Sequence, residues 1–426
     1  RRLTRGALAA LPAAGALALL AGPAHAGPAQ TVLDRFAAQN PGVSAVVWRL
    51  DADGPQVVVS IRPEAPRIPA SNMKMVTAAG ALMQLGPDWR FTTRLATSAT
   101  AQVRSGGRLV GPLYLLGSGD PLLATRAYGA RYLPARATPL SRLAIPLRRA
   151  GIRSVAGPIV ADESLFDQMR MGPTWPAYYA AYSQPLSALS VNQNFAGNGR
   201  RADVGEPWRA AAVRVRQALT GVRIPHRGPL RRGLTPPGAR VLASVSSVPL
   251  SGIAREMNVP SDNFIAEMLV KGVGVHAGGT GTTAAGTARI HEILRSPGIL
   301  TARDRLVDGS GLSRRNRLSA ASLVRLVAAA DADTTWGPAF IASLPRGGEG
   351  TLSNRLRSPA VAKRVRAKTG FINGASSLSG RVVSRGGQRY AFSLLMNTER
   401  ITDARTVQDT VVTLLARGRE DTTGSG

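Results

Sequence analysis

Two predicted β-hairpins lie near opposite ends of this chain, and they constrain its fold more than any other feature of the sequence. Near the start, VSAVVWRL and QVVVSIRP have strand patterns on either side of a turn at residues 51–54. Near the end, SSLSGRVVS and RYAFSLLMN flank a turn at residues 385–387. One antiparallel sheet built from both chain ends, with helices on its faces, fits this pattern, and we therefore predict an α+β fold.

The segments between the hairpins are of two kinds. SNMKMVTAAGALMQLG carries apolar residues at helical spacing and ends at Gly86-Pro87, and helical patterns return from residue 251 onward. Residues 91–250 instead have the pattern of short strands and turns rich in Gly and Pro. We predict one discontinuous domain of residues 27–90 and 251–418, a β-rich insertion of residues 91–250, and a disordered tail of residues 419–426.

The first 26 residues have the pattern of an export signal. The basic start RRLTR precedes the apolar run ALAALPAAGALALLAG, and AHA at residues 24–26 forms a small-x-small cleavage site. A transmembrane anchor would need about 20 strongly apolar residues, whereas this run is short, alanine-rich and broken by Pro12. We predict cleavage after Ala26 and an exported protein of the cell wall or periplasmic space, with no transmembrane segment in its mature form.

Composition excludes several kinds of site. The chain has no cysteine, which excludes disulfides and thiol chemistry. The histidines after the predicted cleavage site are His226, His276 and His291, and no HExxH or paired-ligand spacing joins them. We therefore predict no metal site and no cofactor.

The formal net charge is +29, and almost all of the positive charge is arginine. Such a surface attracts anionic polymers, which for an exported protein are cell-wall polyanions or membrane headgroups. A coding bias toward Arg and Ala is the alternative explanation, because no run of five basic residues occurs. The export signal and the lack of a basic-aromatic cluster argue against a nucleic-acid partner.

Lysine is rare, and the only four are Lys74, Lys271, Lys363 and Lys368. Arginine stays protonated in protein sites, whereas a desolvated lysine can lose its proton and act as a base. A lysine kept in an arginine-rich chain is therefore a candidate for amine chemistry. Lys271, late in a predicted helix, and Lys363, among arginines, have the pattern of surface residues, which leaves Lys74 and Lys368.

Three short motifs occur in order: S-x-x-K at residues 71–74, S-D-N at residues 261–263 and K-T-G at residues 368–370. Each alone has an ordinary structural explanation, because Ser261 could be a helix N-cap and K-T-G a turn that enters a strand. Together, with the Ser-Lys pair at a helix start, they are the combination typical of β-lactamases and penicillin-binding proteins.

The residue types suit that chemistry. A serine hydroxyl needs a base, and neither a histidine motif nor a G-x-S-x-G elbow is present to activate Ser71. Lys74 follows one helical turn later on the same face. It can be the base if it is desolvated and close to other positive charge, which Lys368 would supply. Backbone N–H groups at the helix start could stabilise an oxyanion.

Four further runs accompany the motifs: LLGSGDPLL, ADESLFD, YSQPLSALSVNQN and DGSGLSRRNRLS. Singly, most of them have the pattern of turns and strand ends. With the motifs, they make residues 30 to 416 resemble a class C low-molecular-mass penicillin-binding protein of the D-alanyl-D-alanine carboxypeptidase/endopeptidase family. Ser71 and Ser261 lie far enough apart for that family's large insertion and too far apart for a class A β-lactamase.

The resemblance implies roles for the first two motifs. Ser71 would be the acylating nucleophile and Lys74 its general base. Ser261 would relay a proton to the leaving amine, and Asn263 would hold the amide of the substrate.

It also implies roles for the third motif. Lys368 would keep the site positive and Thr369 would bind the terminal carboxylate. The backbone just after Gly370, at Phe371, would supply the second oxyanion donor. Many relatives have Thr or Ser where this chain has Phe371, so a hydroxyl contact to the carboxylate is lost here and fine substrate preference is open.

The resemblance thus implies a serine DD-peptidase that acts on peptidoglycan stem peptides through an acyl-enzyme and is inhibited covalently by β-lactams. Its preference for terminal trimming (carboxypeptidase) or cross-link cleavage (endopeptidase) stays open. One alternative is a β-lactamase-like hydrolase, although no clear E-x-x-L-N motif supplies a second base for fast deacylation. The other alternative is a non-catalytic protein that binds the cell wall through its charge.

Overall fold

The computed structural model describes residues 27–197, 199–200 and 204–421. The predicted export signal of residues 1–26 and residues 422–426 of the predicted tail lie outside this described part. Earlier in that tail, buried Glu420 accepts a hydrogen bond from the Ala29 amide, and Asp421 accepts one from the Tyr390 hydroxyl at 2.7 Å. The folded chain therefore extends to Asp421, past residue 418 where the prediction ended it, because these contacts fasten its end.

The strands of the described residues form two five-stranded sheets and two smaller ones. In chain order they are β1 (Val43–Asp51), β2 (Gly54–Ile61), β3 (Thr92–Thr97), β4 (Gln102–Arg104), β5 (Arg108–Val110), β6 (Leu113–Leu116), β7 (Leu123–Ala124), β8 (Thr138–Pro139), β9 (Ser154–Val155), β10 (Ile159–Asp162), β11 (Leu230–Arg232), β12 (Arg240–Ser246), β13 (Val365–Ile372), β14 (Ala375–Val383) and β15 (Arg389–Met396).

The α-helices surround these sheets, and short 3-10 turns connect several elements. In chain order they are α1 (Pro28–Ala38), α2 (Met73–Leu85), α3 (Arg126–Tyr132), α4 (Ala144–Arg149), α5 (Pro207–Gly221), α6 (Leu250–Asn258), α7 (Asn263–His276), α8 (Thr283–Arg295), α9 (Ala320–Ala332), α10 (Gly337–Ser343), α11 (Pro359–Ala362) and α12 (Ile401–Ala416). None of these helices of the described residues has both the length and the hydropathy that crossing a bilayer requires.

Both ends of the chain contribute to the first sheet, as predicted. Its strand order is β13-β14-β15-β1-β2, and every neighbouring pair is antiparallel. The two hairpins meet where β1 pairs with β15, with Val47 opposite Phe392. K-T-G lies within β13, so this motif is at one edge of the sheet.

The sheet is buried on both faces, which explains the nearly continuous apolar run in β1. Ala45 and Val47 point into a core shared with α1 and α12. Val46 points the other way, into a larger core that includes residues of α2, α7 and α9. Alternate residues of a strand face opposite sides, so one strand supplies both cores.

Residues 91–250 fold on the second five-stranded sheet, whose order is β11-β10-β6-β3-β12. β3 and β12 pair antiparallel with Thr92 opposite Ser246, so the chain enters and leaves the insertion at one place. The sheet is mixed, because β10 runs parallel to both β6 and β11. Helix α5 packs Val215 and Leu219 into the same core. The insertion is thus β-rich with a helical layer.

An apolar cluster fastens the insertion beside the start of α7. Phe166, Leu186 and Ala188 of the insertion pack against Phe264 and Met268 of the helix. Because S-D-N lies at the start of α7, this contact places the insertion next to that motif.

Candidate active site

Ser71 lies where a loop becomes a helix. A 3-10 turn over Ala70–Asn72 continues directly into α2, so Lys74 follows one turn later, as predicted. Ala70 has a left-handed backbone with φ of 46°, a conformation that costs a non-glycine residue energy. Helix α2 is buried over most of its length, whereas Ser71 is only partly buried. The hydroxyl is therefore accessible at the end of a rigid, buried helix.

The Lys74 amine contacts three oxygen atoms from three parts of the chain. Its Nζ lies 3.1 Å from Ser71 Oγ, 2.7 Å from Asn263 Oδ1 and 2.7 Å from the Ser310 carbonyl oxygen. The Asn263 and Ser310 oxygens can only accept hydrogen bonds, so they take the two N–H groups of a neutral amine. The lone pair of the nitrogen then remains for the Ser71 hydroxyl.

Burial lowers the pKa of the Lys74 amine to about 8, because an ammonium ion without water around it is poorly solvated. The nearby carboxylates of Asp308, Glu267 and Asp262 act in the opposite direction, since negative charge favours the protonated amine. Desolvation is the larger effect. About a tenth of the amine is therefore neutral at pH 7, far more than for an exposed lysine.

S-D-N lies in the turn that begins α7. Asp262 caps the helix by accepting a hydrogen bond from the Ile265 amide at 2.8 Å, so the capping residue is Asp262 and not Ser261. Asn263 donates to the Tyr182 carbonyl at 2.9 Å, which orients its amide oxygen toward Lys74. Ser261 is partly buried and has a left-handed φ of 65°. Its predicted role as a proton relay remains a prediction.

Strand β13 packs directly against the turn that carries Ser71. The Asn72 side chain donates to the Lys368 carbonyl at 2.7 Å and accepts from the Ser379 hydroxyl at 2.8 Å, which fastens the turn to β13 and β14. A Cβ on Gly370 would lie 2.1 Å from Ser377 Oγ and 2.9 Å from the Ser71 nitrogen. The glycine of K-T-G is thus required for this close approach.

Lys368 is fully buried, and its amine donates to the Thr369 carbonyl at 3.0 Å. Burial, and then the positive charge of Lys74, lower the pKa of Lys368 well below its usual range. The positive charge of Lys74 therefore disfavours protonation of Lys368, and the predicted role of Lys368 in keeping the site positive remains a prediction. The Thr369 hydroxyl is partly exposed at the edge of the sheet and donates to Thr351 Oγ1 at 2.7 Å.

Phe371 lies just after K-T-G and is 53% exposed. The Arg405 guanidinium lies 4.9 Å from the centroid of its ring, within the range of a cation–π contact. The side chain thus stands outside the buried part of the site, while its backbone stays in β13.

The sequence interpretation missed two parts of this site. DGSG at residues 308–311 is more than a turn, because its Ser310 carbonyl contacts Lys74. A Cβ on Gly311 would lie 1.9 Å from the Ala70 carbonyl oxygen, so this glycine also permits a close approach. Glu267, which is fully buried, accepts hydrogen bonds from the amides of Gly309 at 3.0 Å and Ser310 at 2.8 Å. The run DGSGLSRRNRLS was the available signal.

The carboxyl group of Glu267 also has an unusual pKa. Burial, and then the neighbouring Asp308, raise the pKa of Glu267 to about 8. A buried carboxyl group close to Lys74 therefore influences how readily that amine takes up a proton.

The prediction for Lys271 is wrong, whereas the prediction for Lys363 is confirmed. Lys271 is 1% exposed and forms an ion pair with Asp167 of the insertion, because α7 packs beneath the insertion and not at the surface. Lys363 is exposed, as expected from its arginine-rich surroundings.

Among the described residues, no group of three His, Cys, Asp or Glu side chains is arranged to hold a metal ion. His226 Nε2 and His291 Nε2 instead lie within hydrogen-bond distance of backbone carbonyls, at 2.8 Å and 3.1 Å.

Comparison with known proteins shows the family to which this chain belongs. The sequence profile of the D-Ala-D-Ala carboxypeptidase 3 (S13) family matches residues 29–209 and 199–418. A D-alanyl-D-alanine carboxypeptidase from an Actinomadura species is 32% identical over 431 residues, which cover 82% of this chain and 77% of the relative. The carboxypeptidase DacB of Mycolicibacterium smegmatis is 31% identical over 399 residues, which cover 88% and 81% of the two chains.

A solved structure supports the same fold. Penicillin binding protein 4 (dacB) from Haemophilus influenzae superposes with a TM-score of 0.74 at 23% identity, over 90% of this chain and 98% of that one. The family match extends over nearly the whole described chain and includes every element that carries S-x-x-K, S-D-N and K-T-G. The chain therefore belongs to the D-Ala-D-Ala carboxypeptidase 3 (S13) family, whose members are low-molecular-mass penicillin-binding proteins with serine DD-peptidase activity.

Proposed function

We propose that this protein cleaves D-Ala-D-Ala-ended stem peptides of peptidoglycan through an acyl-enzyme on Ser71, with Lys74 as the general base. The observation that carries the proposal is the arrangement around the Lys74 amine. Asn263 Oδ1 and the Ser310 carbonyl occupy two of its hydrogen-bond directions, and Ser71 Oγ lies in the third at 3.1 Å. A buried amine held in this way is prepared to accept the serine proton.

In the acylation step, Ser71 Oγ attacks the carbonyl carbon of the penultimate D-Ala while its proton moves to Lys74 Nζ. A C–O bond forms, the C–N bond to the terminal residue breaks, and Ser261 relays the proton to the leaving amine. A water molecule then attacks the acyl carbonyl and gives a proton to Lys74. The C–O bond to Ser71 breaks, the hydroxyl regains its proton, and the free acid leaves.

Two backbone N–H groups are suited to stabilise the oxyanion of these steps. The Ser71 amide lies in the turn that begins α2, at the positive end of the helix dipole. The Phe371 amide lies on the open edge of β13. Ala367 N–H on the same strand donates outward to the Pro345 carbonyl, and alternate N–H groups of a strand share one edge.

The same arrangement supports proposals about ligands and location. The terminal carboxylate of the substrate would bind at Thr369, beside the Lys368 amine. β-Lactams carry a reactive amide that resembles the D-Ala-D-Ala bond, so they would acylate the same hydroxyl. The net charge of +29 supports attraction to anionic cell-wall polymers in an extracytoplasmic setting.

Labelling with a fluorescent penicillin tests the proposal. We expect covalent label on the wild-type protein, located at Ser71 by peptide mapping, and none on Ser71→Ala. Equal labelling of the two proteins, or labelling of neither, would contradict the proposal.

Two further measurements separate the alternatives. Slow turnover of nitrocefin is expected for a DD-peptidase, whereas fast turnover would identify a β-lactamase-like hydrolase. Binding of Ser71→Ala to isolated cell walls at increasing salt concentration measures what the positive charge contributes without catalysis.

A further inference from the structure

A cavity lined by several charged side chains lies along β13 from the active site and has no part in the chemistry described so far. Its volume is about 570 Å³. It is bounded by α6, by the end of α10 and the loop that follows, and by the first half of β13. Its lining residues are Arg255, Ala342, Arg346, Gly347, Glu349 and Arg366.

The cavity has more positive charge than its own residues neutralise. Its three guanidinium groups face one carboxylate, that of Glu349, which forms an ion pair with Arg255. Arg366 donates to the Leu344 carbonyl at 3.0 Å, a neutral partner that fixes its direction. Within the described part of the chain, the exposed guanidinium of Arg346 has neither a hydrogen bond nor an ion pair.

The arginines also disfavour one another. Burial, and then the positive charges of Arg346 and Arg255, lower the pKa of Arg366. A bound anion would relieve this repulsion, and guanidinium groups bind carboxylates in a two-pronged geometry. The pattern is therefore that of an anion site and not of a self-contained ion-pair network.

The position of the cavity relates it to the substrate. The edge of β13 that carries the Phe371 amide is available to a ligand at Thr369. At Ala367 the same edge is occupied by the chain itself, because the Ala367 N–H donates to the Pro345 carbonyl. Arg346 directly follows Pro345, and its backbone forms an isolated antiparallel β-bridge with the backbone of Arg366. From Thr369 to Arg366 the strand covers about 10 Å. The cavity thus lies at the Arg366 end of the strand edge along which the substrate is proposed to bind.

Direction along the strand identifies which part of a substrate approaches the cavity. In the proposed function, the acyl carbonyl lies at Phe371 and the carboxylate of the leaving residue lies at Thr369. Continuation in the same direction leads toward Arg366. A single D-Ala leaving group ends at Thr369, about 10 Å short of the cavity, whereas a leaving group that is itself a stem peptide extends further.

We propose that this arginine cavity binds a carboxylate on the leaving-group side of a cross-linked stem peptide, and so favours cleavage of cross-links over removal of terminal D-Ala. The inference rests on the proposed function, since it assumes that the leaving group binds at Thr369. It deepens that function by assigning a specificity site for endopeptidase activity.

The test compares two substrates on the variant Arg346→Gln. Arg346 is exposed and makes no side-chain bond within the described residues, so the change should not affect folding. For a purified cross-linked muropeptide dimer with free carboxylates on the leaving strand, we expect kcat/KM to fall about fivefold, the effect of one partly exposed ion pair. For a short D-Ala-D-Ala peptide, kcat/KM should be unchanged.

Matched controls make the result specific. Arg104→Gln changes another exposed arginine, one that lies in the insertion, and should leave both substrates unaffected. A dimer whose leaving-strand carboxylates are amidated should be cleaved equally by the wild type and by Arg346→Gln. Unchanged cleavage of the carboxylate dimer by Arg346→Gln, or an equal loss on both substrates, would overturn the inference.

Two further outcomes are distinguishable. If Arg346→Gln lowers retention on a polyphosphate column but cleaves the dimer normally, the cavity binds wall polyanions and the inference is wrong. Penicillin labelling of Ser71 in the same preparations reports on the proposed function separately. Normal labelling, with no difference between the effects of Arg346→Gln on the two substrates, would contradict only the cavity proposal. Absence of labelling in the wild type would contradict the proposed function.

Discussion

Two buried lysines on neighbouring helices of this protein have opposite surroundings. Lys74 on α2 contacts oxygens of a hydroxyl, an amide and a carbonyl, none of which carries a negative charge. Lys271 on α7 forms an ion pair with the Asp167 carboxylate and lies 6.0 Å from the ring centroid of Phe166. Both lysines are at most 1% exposed, so burial does not distinguish them.

The difference teaches that the partner, and not the burial, decides what a buried amine can do. A buried amine among neutral acceptors is stabilised in its neutral form and can take up a proton. A buried amine beside a carboxylate is stabilised as a charged pair and fastens two parts of the structure together. In the proposed function the first arrangement serves catalysis, whereas the second joins the insertion to α7.

Replacement of each lysine by arginine should separate these two roles most strongly. For Lys74→Arg we expect acylation by fluorescent penicillin to slow by at least about a thousandfold, because arginine keeps its charge but cannot act as a base. For Lys271→Arg we expect acylation to continue, since a charged partner for Asp167 is retained. Labelling kinetics measure both, with the exposed Lys363→Arg as the control.

Rapid acylation of Lys74→Arg would remove Lys74 from the mechanism. Loss of acylation in Lys271→Arg, with an unchanged thermal unfolding profile, would instead show that the two lysines do not differ in the way proposed.

Removal of the carboxylate beside Lys271 should affect stability more than catalysis. Asp167→Leu leaves a buried amine without its partner, and we expect the free energy of unfolding to fall by about 3 kcal/mol. The double variant Asp167→Leu/Lys271→Met should regain part of this loss, because no unpaired charge remains. Urea unfolding measures the three free energies. Equal destabilisation of the single and double variants would contradict the ion-pair account.

The pH dependence of acylation should report on the Lys74 amine. Its pKa is lowered to about 8, so the neutral base predominates above that pH and declines below it. We expect the acylation rate to fall by about tenfold per pH unit below pH 8 and to level off above it. Stopped-flow labelling between pH 6 and 9 measures the profile, and a rate that rises toward low pH would exclude a neutral-amine base.

A smaller shift should follow from a change at Glu267. Glu267→Gln keeps an oxygen for the Gly309 and Ser310 amides but removes a carboxyl group that is partly ionised near pH 8, where its negative charge raises the pKa of Lys74. The midpoint of the pH profile should therefore move to lower pH, by less than about one unit. A midpoint that moves upward would show that Glu267 does not act on Lys74 through its charge.

Much of the fold and part of the site could be predicted because they depend on local patterns. The hairpins at the two chain ends, the helix that begins near Ser71 and the one-turn spacing to Lys74 follow from periodicity over short windows. The Ser310 carbonyl could not be predicted, since a backbone oxygen leaves no mark on residue identity. Burial of Lys271 was also missed, because its ion-pair partner is 104 positions away along the chain.

The sequence by itself determined which chemical groups are available: one serine with a lysine a turn later, an S-D-N turn and a K-T-G strand. Only the tertiary structure decided what these groups can do. Whether an amine is a base depends on how much water surrounds it and on which charges lie near it. Those conditions are set here by chain segments hundreds of residues apart, which pack around Lys74 with neutral oxygens and around Lys271 with a carboxylate.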